Sequence, residues 1–289
     1  MSECRIRKKR SRIAAWGITF LLPLLLVFYS WFMEHRPRLH DSKEWNLQDT
    51  LIQNSDLLMA AVFLVLSLLP FYLMFDRRKA QARDLVPIAL MAAMCVVGRT
   101  AFSIVPLPNF KPVTAIVMIT GIAFGPEAGY LTGALAALLS NFLFGQGPWT
   151  PWQMFSWGIV GFLTGTLYRT GIFGTVGQAV TDEEGKRKKP ILLCVAGFLF
   201  SVLYGWIMNL QYILGYVRPF SLQAVAAAYL SSAWFDISHG ICTALVLWVA
   251  AEPWVRKLSR IKRKFGLDGE EYVSGRITPS SGRMPFHFF

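Results

Sequence analysis

Residues 113–169 read VTAIVMITGIAFGPEAGYLTGALAALLSNFLFGQGPWTPWQMFSWGIVGFLTGTLYR, with charge only at Glu127 and Arg169. Two sets of helix breakers cut this stretch. The first is Gly125-Pro126, since proline cannot extend a helix and restricts the residue before it. The second is Gly145-Gln146-Gly147-Pro148-Trp149-Thr150-Pro151. The cuts leave a short apolar segment at 113–125 and longer ones at 127–144 and 152–169. A helix that crosses a bilayer needs about 20 apolar residues, so the spacing predicts membrane helices in quick succession. Outward from this stretch, further apolar runs lie at 85–104, 190–214 and 222–251, and two more at 13–33 and 56–76. The expected fold class is therefore an all-α integral membrane protein, a six-helix bundle preceded by two extra N-terminal transmembrane helices. Of the 289 residues, 54% are hydrophobic and 16% charged. That balance excludes a soluble enzyme, a secreted disulfide scaffold or a disordered chain as the main body.

The net charge of +12 invites a nucleic-acid reading, but its placement argues otherwise. Lys and Arg gather at 5–12, at 77–83, around Arg169 with 186–189, and at 256–264. Numbering the spans puts all four groups on one side, leaving Arg36, Arg38, Lys43, Lys111 and Arg218 opposite. The positive-inside rule then sets both termini in the cytoplasm, and no nucleic-acid partner is needed to explain the charge. The organisation expected is an N-terminal extension over 1–83 with two spans, a six-helix core over 84–251, and a basic, partly disordered cytoplasmic tail over 252–289. The segment 13–33 exceeds a usual signal-peptide core and lacks a following A-x-A site, so it reads as an uncleaved anchor. Cys4, Cys95, Cys194 and Cys242 have no zinc or C-x-x-C spacing, and they read as apolar filler rather than metal ligands.

Gly121, Gly125, Gly129 and Gly133 recur at four-residue spacing, as do Gly161 and Gly165. Small residues at this interval let helix backbones approach closely in lipid. Polar residues inside spans need a partner or a task, because charge at membrane depth is costly. Arg99 and Asn141 each lie 14 residues into a span, about 21 Å from its cytoplasmic end. Gln153 and Trp157 open the fourth core span, Asn209 and Tyr212 close the fifth, and Asp236 lies near the middle of the sixth. These groups are expected to converge on the outer half of the bundle, beneath loops carrying Phe110, Trp149 and Trp152. An apolar pocket with a few convergent polar groups is the usual small-molecule site. The two tryptophans read equally well as an interfacial aromatic belt. Asp236 and His239 share a helix face, as a proton relay would require. Asp236 is also a natural ion-pair partner for Arg99, and the sequence leaves both uses open. No Walker, H-E-x-x-H or G-x-S-x-G signature appears, so neither an enzyme nor a cofactor site is expected.

Residues 84–251 resemble the S components, the substrate-binding membrane subunits, of energy-coupling factor (ECF) transporters. The likeness rests on six spans with a short second one and on the stretches 110–115 and 121–129. Residues 145–154 are most similar to the cobalamin-type S components. The resemblance implies capture of a vitamin, possibly cobalamin, outside a prokaryotic cytoplasmic membrane. It further implies docking on a transmembrane coupling protein driven by two ATPase subunits, which would hydrolyse the ATP. The family's Ala-x-x-x-Ala face is matched by Ala89 and Ala93, with Ala92 adjacent, and implies the coupling-module interface; ordinary packing inside the bundle is the other reading. The alternative function is a stand-alone proton-coupled secondary transporter using Asp236 and His239, against which stands the absence of inverted repeats with broken helices.

Overall fold

The computed structural model describes residues 17, 21–28, 31, 58, 59, 61, 62, 65, 66, 82–173, 176, 190–217 and 221–264. Among them the regular structure is helical: α1 Ala82–Ala101, a 3-10 turn Phe102–Ile104, α2 Val113–Phe124, α3 Pro126–Phe144, α4 Thr150–Arg169, α5 Ile191–Tyr216 and α6 Leu222–Lys264. α1, α5 and α6 are long and apolar enough to cross a membrane, and α2 is a shorter apolar helix. Most of the expected spans 13–33 and 56–76, the loop 177–189 and the tail beyond 264 lie outside the described residues. Leu22 and Leu26 are described, and both are buried in the same apolar cluster as Met91 and Met118.

The break between α2 and α3 falls where the sequence puts it. Gly125 ends α2 at φ +106° while its amide still bonds to the Gly121 carbonyl, a conformation that favours glycine. Pro126 then opens α3, where its missing N–H costs nothing. The short α2 is the hub of the bundle, and all its residues except Phe124 are buried. It packs against α1, α3, α4, α5 and α6.

The glycine ladder joins α2, α3 and α4 backbone to backbone. A methyl group added to Gly129 would lie 2.7 Å from the Gly161 carbonyl oxygen, and one on Gly165 would lie 2.6 Å from the Pro126 nitrogen. The four-residue spacing is thus used for close approach, as lipid-embedded helices require.

α5 and α6 form an antiparallel pair along their length: Gly197 meets Leu247, Gly205 meets Asp236, Ser201 bonds Thr243 and Asn209 bonds Ser232. The sixth helix was expected to end at 251 but continues through Pro253 to Lys264. Its extra three turns take up the basic residues from Arg256 onward, and Glu252 pairs with Arg256 one turn apart at 3.5 Å. An apolar groove is lined by Phe102 and Phe110, which lie between α1 and α2, and by Cys242, Leu245, Val246 and Val249 of α6.

Candidate substrate site

Arg99 occupies the last turn of α1 and is 8% exposed. Its Nη1 donates to the Ser140 hydroxyl and, at 2.8 Å, to Oδ1 of Asn141 on α3. The Asn141 amide nitrogen donates in turn to Thr150 Oγ1 and to Gln153 Oε1 on α4, each at 2.9 Å. Thr150 donates to Gln146 Oε1 at 2.9 Å, and Gln146 reaches back to the Leu138 carbonyl at 3.0 Å. Asn141 therefore has its amide oxygen and nitrogen committed and ties three segments together. That satisfaction is what makes an amide tolerable at 1% exposure.

The guanidinium is also held by rings, 4.7 Å from the Phe144 centroid and 5.4 Å from that of Trp157. Trp157 begins a second network. Its Nε1 donates to Thr114 Oγ1 at 3.1 Å, and Thr114 lies 2.8 Å from His239 Nε2. Tyr204 stacks on Trp157 at 4.8 Å and meets the His239 ring edge-on at 5.2 Å. Its hydroxyl bonds to the Gln153 side chain, which closes the loop back to Asn141. All six helices contribute to this polar and aromatic cluster at the C-terminal ends of α1 and α3. Arg99 Nε and His239 Nδ1 are buried there without a hydrogen-bond partner.

The expected site residues divide into three groups. Arg99, Asn141, Gln153, Trp157 and His239 come together as described. Asn209 donates to Ser232 at 2.6 Å, and Asp236 packs against Gly205 with the Ser232 side chain beside it; both belong to the α5–α6 seam. Arg99 and Asp236 form no ion pair: the arginine turns to the neutral oxygens of α3, and the carboxylate faces α5. Tyr212 points away, 52% exposed and stacked on Tyr216 at 5.9 Å. Trp152 is buried in the core while Trp149 sits at the surface. Phe110 stacks on Phe102 at 6.2 Å, and both line the apolar groove beside α6. Ala89 and Ala93 are exposed on α1, and Ala92 is buried.

Ser140, Thr114, Phe144, Gln146, Thr150, Tyr204 and Lys111 are participants that the sequence reading did not single out. Lys111 lies in the loop before α2, next to its N-cap Pro112, and its Nζ lies 5.4 Å from the Phe144 centroid. Burial, and next the Arg99 charge, push this amine below its ordinary range. The arrangement offers hydrogen-bond donors and acceptors among aromatic faces, which is the equipment of a binding site.

Comparison with known proteins agrees in class. Residues 79–252 match the family described as ECF-type riboflavin transporter, S component. A UPF0397 protein of Aliivibrio fischeri (strain MJ11) is 27% identical over 128 residues, covering 43% of this chain and 66% of that protein. The chain thus spans just under two thirds of this curated relative. No solved structure matches the chain. With the family match running from the start of α1 through the greater part of α6, the chain belongs to the S-component family of ECF-type transporters.

Proposed function

We propose that the chain captures a vitamin-like small molecule from outside a prokaryotic cytoplasmic membrane and delivers it through an ATP-driven coupling module. The observation that carries this reading is the Arg99–Asn141–Gln153 network and its extension through Trp157 to His239, a hydrogen-bonding cluster at one end of the bundle. Trp157 and Tyr204 supply stacking faces for a ring-bearing body. The likeness of 145–154 to cobalamin-type subunits and the riboflavin description of the matched family both favour such a body. ATP hydrolysis belongs to two partner subunits acting through a transmembrane coupling protein, and this chain needs no cofactor of its own.

Docking uses the outward face of α1. Ala89 and Ala93 are exposed there beside Val86, Leu90 and Val97, so their small side chains leave a smooth surface open to a partner helix. The proton-coupled alternative gains no support, because His239 bonds to Thr114 and Asp236 lies against α5. The test is to purify the full chain with and without its coupling module and identify released small molecules by mass spectrometry. A single vitamin-like compound retained by the wild type and lost from Asn141→Ala is expected. Equal retention by both proteins would place the site elsewhere.

A further inference from the structure

Two cations share one ring at the site's edge. Arg99 and Lys111 approach Phe144 at 4.7 and 5.4 Å from its centroid. The loop that carries Lys111 is held there, because the Pro112 ring lies over Gly98 one residue before Arg99. Like charges set together in a partly apolar place repel each other, and a carboxylate close by would be the ordinary remedy. Among the described residues no carboxylate pairs with either cation: Glu127 holds Arg169, Glu252 holds Arg256, and Asp236 lies against Gly205. Arg99 bonds only to the neutral oxygens of Ser140 and Asn141. Its Nε is buried with nothing to donate to. The Phe144 ring offsets part of the charge through its face but cannot accept from Nε. Phe144 itself is 40% exposed, so the ring that both cations approach lies at the surface of the bundle.

We propose that the site selects an anionic substrate, whose carboxylate or phosphate oxygens are taken by the Arg99 guanidinium and the Lys111 ammonium at Phe144. This deepens the reading of the chain as a substrate-capturing subunit and rests on it. A guanidinium with a spare N–H suits planar oxyanions, and a flexible ammonium adds a second point charge. A neutral substrate would leave both cations uncompensated, and a cationic one would be repelled.

The test uses the purified full-length protein in lipid nanodiscs after exhaustive dialysis, at fixed pH and ionic strength. The probes are matched pairs: riboflavin 5′-phosphate against riboflavin, and nicotinate against nicotinamide. Thermal stabilisation is titrated for each. The expected result is that the anionic member of at least one pair acts at concentrations on the order of ten- to a hundredfold below its neutral partner. Which pair responds separates phosphate from carboxylate. Lys111→Gln and Arg99→Gln should each erase that gap, and Arg99→Lys should keep part of it. If Arg99→Gln does not fold, Lys111→Gln in the loop decides. Equal response within both pairs, including no response to any probe, overturns the proposal, as does a gap that survives Lys111→Gln. Capture of the same preparations by the immobilised coupling module is scored separately. Intact docking without an anion preference overturns this proposal alone, whereas an anion preference without docking overturns the importer reading alone.

Discussion

Asn141 shows how much one side chain can hold in place. Its amide oxygen takes a hydrogen bond from Arg99, and its nitrogen gives two to α4. Asn141→Leu removes all three and leaves the buried guanidinium with the Ser140 hydroxyl as its one remaining acceptor. Each unsatisfied buried group costs about 1–3 kcal/mol, more when charged, so the variant should unfold at clearly lower temperature as well as lose ligand. Asn141→Asp keeps an acceptor for Arg99 but gives up the donations to Thr150 and Gln153, and it should be the milder of the two by differential scanning fluorimetry. Arg99 and Asp236 present the opposite case. They lie in separate networks, so neutral substitutions at the two should add within about 0.5 kcal/mol in a double-mutant cycle. A coupling energy of several kcal/mol would mean that they pair in the membrane. Arg99 and Asn141 stand out in the sequence because charge and amide are rare in an apolar span. Ser140, Thr114 and Thr150 do not, since a lone hydroxyl in a helix is commonly satisfied by its own backbone. Thr120 and Thr164 do that here, each bonding to the carbonyl four residues earlier.

Among the helices, α2 ends where Gly125-Pro126 requires, and the glycine periodicity correctly marks helix contacts. The sequence could not tell which helices the glycines join. That pairing is three-dimensional: Gly161 faces both Gly121 and Gly129. Gly161→Leu should therefore force α3 from α4 and lose stability well beyond the 1–3 kcal/mol of ordinary overpacking, read as loss of a folded, monodisperse peak in detergent. Ala93→Trp on the exposed face of α1 should leave that peak unchanged while abolishing capture by the coupling module. If Ala93→Trp unfolds the protein, the face is an internal one. The end of α6 was misjudged for a physical reason. Pro253 followed by a basic run looks like a stop, yet Lys and Arg are good helix formers, and Pro253 is at an exposed position. The proline loses one backbone bond without breaking the helix.

At the scale of the whole molecule, α2 forms a short axle with five longer helices packed around it. The polar cluster lies at one end of this axle, and the Glu127–Arg169 pair, at 3.3 Å, lies at the other. Hydropathy and charge placement made the helical class and the order of elements legible. The convergence of Arg99 with Trp157 and His239 needed the fold, because those residues are up to 140 positions apart. On the proposed function, this bundle binds substrate but does not move it unaided. Uptake into proteoliposomes of the compound that co-purifies with the protein puts this to the test. Accumulation is expected only when the coupling protein and both ATPases are co-reconstituted and ATP is present, with no response to a proton gradient. Accumulation by this chain alone, driven by a proton gradient without ATP, would contradict it.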